Sequence, residues 1–555
     1  MKFYNSLVQK GIVKYMKTII GIMLKGARTK LSLVFYILLT VGAGFLVLYA
    51  NSMLMRVLND YLLVQNFYGF AFRLFITIGA FILVFGVTTF GTYLQNRFQY
   101  TTLSRLARHY IERLLHAKNS YFTNRSSAEI YTKLFRSSEG VCFLVGSVLS
   151  IVSYATVFIF YGVLIFRLDL LAGVFSVVTI PLYIILTINL GDKISDLAHE
   201  RLEYDSQLSA VTQEAFENVS NVKAKSAYSF FVARSAAILR GIKRVTVWEE
   251  VLSYYFTGIT NLLRIVAPLL IILGAIRFSS GFTGDAGSIL VLYINIPLFL
   301  YSFAKIHEQF IEYRSCKPFL SQLREFNDVE PEDTGGTNLA SFESLRTEGV
   351  KVKFAGGRVI TVPDFDIKNG EKVMFFGESG IGKSTIFNII MGLNREYRGN
   401  VLVNGINLRE ISLVSLRTIF GITFQNTNAL TLNLRSNILL GADKTDDELR
   451  RLIKLSSLEN RYDAKGDEVL NNKILSGGEK SRIGLAQMLV PGPQVMLIDE
   501  AFSNMDEELE SKIISDLFGK YPDRAVICIS HRNSSRPFFD RVVDFNALEG
   551  EFDEK

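Results

Sequence analysis

Gly377-Glu378-Ser379-Gly380-Ile381-Gly382-Lys383-Ser384 is a glycine-rich turn closed by Lys-Ser and entered from the apolar run Val373-Met374-Phe375-Phe376. It fits the P-loop pattern at every fixed position. The glycines let successive backbone N–H groups curl around phosphate oxygens, and a helix opening near Lys383 and Thr385 adds its positive end. The lysine reaches the β/γ oxygens of a nucleoside triphosphate, and the Ser384 hydroxyl is a ligand for Mg²⁺. An ordinary glycine turn between a strand and a helix would read the same way, so the assignment needs support further along the chain.

That support lies downstream. Val495-Met496-Leu497-Ile498-Asp499-Glu500 is an apolar strand ending in two carboxylates, the form of a Walker B element. Asp499 would hold the Mg²⁺ shell, and Glu500 would polarise the attacking water. Leu475-Ser476-Gly477-Gly478-Glu479 lies between the P-loop and this strand. Gln425 follows the strand Gly421-Ile-Thr-Phe, Ser503-Asn-Met-Asp506 comes just past Glu500, and Ser530-His531 ends the strand Ala525 to Ile529. Short strands alternate with helices here, which argues an α/β parallel sheet. In order and spacing, residues 350 to 545 resemble the ATPase domain of ABC transporters, with Leu475 to Glu479 as its signature sequence.

The resemblance implies a role for each element. Phe354, where the family usually has tyrosine, would stack on adenine. Gln425 would touch Mg²⁺ and the water, and His531 would bond the γ-phosphate. Ser476 and the N–H groups of Gly477 and Gly478 would complete the ATP site of a partner subunit, with Asp506 at the same seam. The sequence departs from the family before the signature, at Asp467 to Lys473, at Gln487 where arginine is common, and at Asn504-Met505 where Ala-Leu is usual. None of these changes removes a catalytic group.

The chain as a whole is too apolar to be a soluble enzyme throughout: 49% of the 555 residues are apolar and 20% charged, and the mean hydropathy is +0.26. A membrane part is expected. The net charge is +7, with residues 1 to 330 carrying more than that positive excess and the remainder mildly acidic. Excess Lys/Arg beside apolar spans marks cytoplasmic loops facing anionic lipid, so no nucleic-acid partner is needed. Cys142, Cys316 and Cys528 lie far apart without metal-ligand spacing, so neither disulfides nor a structural metal are expected. Residues 1 to 30 hold seven Lys/Arg and no acid, which reads as an amphipathic helix on the inner membrane face. No protease domain is expected ahead of Lys30.

Apolar runs at 31 to 50, 73 to 95, 141 to 166, 170 to 190, 255 to 276 and 287 to 305 predict six membrane spans, each long enough for about 30 Å of hydrocarbon. The polar segments 96 to 140 and 191 to 250 are rich in Lys/Arg and belong on the cytoplasmic side with the N-terminus. Tyr121 to Phe135 and Ala215 to Lys225 resemble the intracellular loops of ABC exporters, whose tips are coupling helices. Residues 281 to 326 resemble the last span and its exit. Arg264 stands in the fifth span with Asn261 on the same face, roughly 20 Å from Arg277 along the helix. A charge at that depth is costly against lipid, so it should face a cavity or an acid. Arg264, Asn261 and Asn295 are therefore candidates for a cargo cavity, with a structural ion pair as the alternative for Arg264.

The expected architecture has four parts: an amphipathic helix over 1–30, an all-α six-helix transmembrane domain with long cytoplasmic extensions over 31–326, a linker over 327–348, and an α/β P-loop NTPase domain of the ABC type over 349–555. The expected function is that of an ATP-driven half-transporter, a homodimer or heterodimer in a bacterial inner membrane, with ATP and Mg²⁺ as cofactors and a peptide, lipid-like or other small amphipathic cargo. A membrane protein of this family that uses ATP to gate or regulate is the alternative; intact Glu500 and His531 argue against it.

Overall fold

The computed structural model describes residues 19–24, 27–57, 67–123, 125, 127–278, 286–353, 358–425, 427–470 and 475–548. They form two compact units, one from residues 1–115 and 127–329 and the other from 116–126 and 330–555.

The first unit is helical. Its long helices are α1 (Ala27–Arg56), α2 (Phe67–Leu115), α3 (Ser127–Leu168), α4 (Leu170–Glu217), α5 (Tyr228–Phe278) and α6 (Ala286–Asn327), with a short helix, Val219–Ala224, between α4 and α5. Stretches of α1, α2, α3, α5 and α6 are long and apolar enough to cross a membrane, which makes five among the described residues. The fourth expected span, 170 to 190, opens α4 as an apolar stretch from Leu170 to Ile185, and the apolar sequence continues to Leu190. The chain beyond it turns polar at Gly191-Asp192-Lys193, although the helix continues to Glu217. The connection from α3 to α4 is tight because Asp169 Oδ1 accepts from Ala172 N at 2.7 Å and caps α4. α3 packs along α6 and α4 along α5. Ile165, Ala172, Ile271, Ala275, Leu292 and Ile296 are buried in one cluster. Small residues permit close crossings: a Cβ added at Gly44 would lie 2.2 Å from the Phe160 ring.

The second unit holds two sheets. The antiparallel one runs β2 (Val359–Thr361), β1 (Ser344–Lys353), β5 (Arg398–Val403), β6 (Ile406–Asn407), with β3 (Asp366–Lys368) also on β1. β1 therefore begins ahead of residue 349, since Leu345 and Thr347 already point into the core. The parallel sheet has the order β10 (Arg541–Asp544), β4 (Lys372–Phe376), β9 (Ala525–Ile529), β8 (Val495–Asp499), β7 (Phe420–Thr423). β8 and β9 are buried at every position, as expected for parallel strands covered on both faces. The segment 116–126 belongs to this unit: Ala117 bridges to Pro331, Glu332 N donates to His116 O at 2.7 Å, and Lys118 pairs with Glu330.

Candidate active site

Strand register assembles the site. In the parallel sheet Phe375 lies beside Ile529, Ile529 beside Asp499, and Ile498 beside Thr423. Continuing each strand past its carboxyl end brings Gly377, His531, Glu500 and Gln425 to one edge, where open parallel sheets bind ligands. The side chains then meet. Glu500 Oε2 accepts from Gln425 Nε2 at 2.6 Å, and Glu500 Oε1 lies 3.0 Å from His531 Nε2. Glu500 has φ 49°, a left-handed conformation rare for a residue with a long side chain, and its N–H donates to Ile529 O at 3.1 Å. Backbone strain of this kind clusters at functional sites.

The glycine turn leads into α7 (Lys383–Ile390). Gly382 has φ 119°, and a Cβ there would sit 2.3 Å from Ile360 Cγ2, so the turn accepts only glycine without rearrangement. Lys383 Nζ folds back over the turn and donates to Gly377 O at 2.5 Å and Glu378 O at 2.8 Å. Burial holds the Lys383 ammonium below its ordinary pKa, with Glu500 and Asp499 opposing that shift. Ser384 Oγ donates to Asp499 Oδ1 at 3.0 Å. Burial pushes the Asp499 carboxyl up to about 6, against the Ser384 hydrogen bond and with a further push from Glu500. Glu378, Ser379 and Gly380 are exposed and Ile381 and Thr385 half-buried, leaving the turn open to a ligand. A hydroxyl, a carboxylate and the amide oxygen of Gln425 form a hard oxygen set that fits a divalent cation beside phosphate.

Two residues that the spacing gave no sign of join the turn. Glu378 N donates to Asn546 Oδ1 at 2.9 Å, and Arg358 Nη2 donates to Gly380 O at 2.8 Å. Register accounts for Asn546: Asp544 pairs with Phe376, so two residues further along, Asn546 stands beside Glu378. A second brace lies behind His531. Arg532 Nη1 reaches Glu510 Oε2 at 2.7 Å, and its Nη2 donates to Ser503 O at 2.9 Å.

Ser476 caps α8 (Gly477–Leu489) in a capping box with Glu479, so Gly477 and Gly478 present the free N–H groups of its first turn. Gly477 packs against Asn504, which a Cβ at that glycine would approach to 3.1 Å. Asp506 accepts from Leu509 N at 2.8 Å and caps α9 (Glu507–Lys520). Among the described residues no hydrogen bond or ion pair joins Ser476, Gly477, Gly478 or Asp506 to residues 377–385 of the same chain. Phe354 lies outside the described residues.

The family model of the ABC transporter transmembrane region matches residues 33–303, and that of the ABC transporter matches residues 360–503. The chain is an ABC transporter. It is similar to an export ATP-binding/permease protein of Rickettsia felis, at 24% identity over 94% of this chain and 92% of that one. A lactococcin-A transport/processing ATP-binding protein of Lactococcus lactis is 23% identical over 78% of this chain and 62% of its own length. An ATP-dependent lipid A-core flippase of Francisella novicida is 30% identical over 38% of this chain and 37% of its own length. The transporter binds and hydrolyses ATP and couples hydrolysis to export across the membrane in which its helices lie.

In the membrane unit of the transporter, the three polar candidates separate. The Arg264 guanidinium lies over the Tyr301 ring at 4.7 Å, and its buried Nε has no hydrogen-bond partner. It lines a small cavity of about 10 Å³ with Thr179, Tyr183 and Thr260, room for a single water. No ion pair to Arg264 exists among the described residues, so an aromatic face stands where an acid was expected as one alternative. Asn261 is exposed on α5. Asn295 is fully buried elsewhere, donating to Asn51 Oδ1 at 2.8 Å and Val291 O at 2.7 Å.

Proposed function

We propose that two copies of this ABC transporter form a homodimer with two composite ATP sites, each joining residues 377–385 of one chain to Ser476, Gly477, Gly478 and Asp506 of the other. The observation that carries the ATPase chemistry of each site is the Glu500 carboxylate, hydrogen-bonded on one oxygen by Gln425 and facing His531 with the other. A carboxylate fixed at both oxygens has one orientation from which to take a proton from water. Glu500 is accordingly the general base, with Gln425 and His531 holding it in place. On nucleotide binding Lys383 exchanges two backbone carbonyls for the β/γ oxygens, and His531 passes from Glu500 Oε1 to the γ-phosphate, which frees that oxygen for the water while Gln425 keeps the carboxylate oriented. Ser384, Asp499 and Gln425 would hold Mg²⁺, which when bound would neutralise charge on the transferring phosphoryl group. The missing intrachain bonds between the signature residues and the turn agree with a site shared between copies.

The domain limits we assign are 31–326 for the membrane domain, 327–343 for the linker and 344–555 for the ATPase domain, which opens with β1, with the N-terminus and ATPase domain on the cytoplasmic side of a bacterial plasma membrane. Binding of two ATP closes the ATPase dimer and hydrolysis reopens it, so ATP acts through its different affinity for two global states. The cargo is a peptide, a lipid-like molecule or another small amphipath. That range is supported by relatives named for lactococcin transport, lipid A-core flipping and, in Lactococcus lactis, multidrug resistance.

Glu500→Gln tests the chemistry. The amide keeps shape and cannot take the proton, so ATP binding persists while turnover falls by about 10²- to 10⁴-fold. Normal turnover of that variant with Mg²⁺ present would remove Glu500 from the mechanism.

A further inference from the structure

At one end of the α1/α2 pair lies a groove of about 580 Å³ that shares no residue with the ATP site. Thr29 and Ser32 of α1 and Arg97, Thr101 and Arg105 of α2 supply its polar side, and Leu31, Phe35, Leu94 and Phe98 its apolar wall. Among the described residues no acidic side chain lines it. Two bonds fix its height. Arg105 Nη2 donates to Thr29 Oγ1 at 2.8 Å, and Tyr36 Oη donates to Gln95 Oε1 at 3.1 Å, so the helices run antiparallel. The apolar run of α1 begins at Leu31 and that of α2 ends at Gln95. The paired residues therefore place both polar-to-apolar transitions at one level, the edge of the hydrocarbon.

The two arginines differ. Arg105 is committed to Thr29 and to Met23 O, at 2.9 Å for the latter. Arg97 is exposed, and among the described residues its guanidinium has neither a hydrogen bond nor an ion pair. Leu31 and Phe35 beneath it are also exposed, at 70% and 46%. A free guanidinium above an exposed apolar wall at the membrane edge matches an amphiphile with a negative head and an acyl chain. We infer that this groove binds an anionic phospholipid, with its phosphate on Arg97 and the hydroxyl row and its acyl chain along Leu31, Phe35 and Phe98. The lipid ties the foot of α1 to α2 at the bilayer surface.

Native mass spectrometry of the detergent-purified full chain tests this, with phosphatidylglycerol and phosphatidylcholine titrated separately. Saturable binding is expected for phosphatidylglycerol. Arg97→Gln should weaken it about fivefold, as one basic residue near a surface does, without changing phosphatidylcholine binding. Arg97→Lys should keep the wild-type affinity, because it preserves the charge. Equal phosphatidylglycerol affinity in wild type and Arg97→Gln would overturn the proposal, and so would Arg97→Lys behaving like Arg97→Gln. Displacement of the lipid by glycerol phosphate or inorganic phosphate would show that the groove takes a soluble anion instead, and would overturn it too.

Discussion

Arg532 is the residue whose loss should be felt most widely, and the structure gives its size. Its partner Glu510 has a side chain only 2% exposed, whereas Arg532 is 29% exposed. Glu510 keeps one other partner, Ser535 Oγ. Removing the arginine strands a buried carboxylate, a change that costs about 3–5 kcal/mol. Removing the acid leaves an arginine that still reaches water and Ser503 O, so Glu510→Leu should cost less, about 1–3 kcal/mol. At about 2–4 °C per kcal/mol for a unit of this size, Arg532→Leu should lower its melting temperature by roughly 6–20 °C. The double variant should fall near Glu510→Leu alone, because no charge remains buried. The single tryptophan, Trp248, lies in α5 and reports on the other unit, so calorimetry is the assay, following the transition that ATP raises. Hydrolysis should fall with Arg532→Leu, since the same guanidinium ties His531's neighbour to Ser503. Equal shifts for the two single variants, or a shift under about 2 °C for Arg532→Leu, would refute the reasoning.

Mixed dimers of Lys383→Ala and Ser476→Arg chains should gather both defects in one composite site and leave the other whole, recovering turnover that neither pure variant shows; no recovery under confirmed mixing would refute the homodimer. Gly382→Ala should weaken ATP binding at least about tenfold, from left-handed strain and the clash with Ile360, as measured with a fluorescent nucleotide; unchanged affinity would refute the fit of the turn. Arg264→Gln should raise the half-saturating concentration of an anionic cargo about tenfold, the scale of a lost charged hydrogen bond. Its melting temperature should hold, since no acid is stranded. An unchanged dose response with a lowered melting temperature would make Arg264 a structural residue.

The chemistry-bearing residues of the ATPase unit were readable because each lies within a few residues of a strand end or helix start, where local spacing carries the signal. Glu500 after Val495 to Asp499 and Ser476 before Gly477 are of this kind. Asn546, Arg358 and the Arg532–Glu510 pair were not readable. They reach their places through strand register or through contacts spanning 22 or 168 positions, and an isolated Asn or Arg in a sequence carries no mark of that. In the membrane unit, hydropathy located the helices but not their ends, because α4 continues as helix to Glu217 after the apolar sequence stops at Leu190. It left Asn51 unnoticed, since one amide hardly changes the mean of a window.

The Asn51–Asn295 contact has a consequence for how the membrane helices slide. An interhelical amide pair in such a setting is worth only about 0.6–1.7 kcal/mol, too little to hold α1 and α6 together by itself. Its effect is on alignment. The two amides meet at one height only, and a slip of a single helical turn would move them about 5.4 Å apart. Asn295 Oδ1 already lacks a partner in the buried interior, so the slipped state would leave further polar atoms unmatched in a dry setting. A slip of α1 along α6 thus carries a polar cost that a slip between wholly apolar helix faces does not, so shear between membrane helices is expected first at other helix pairs.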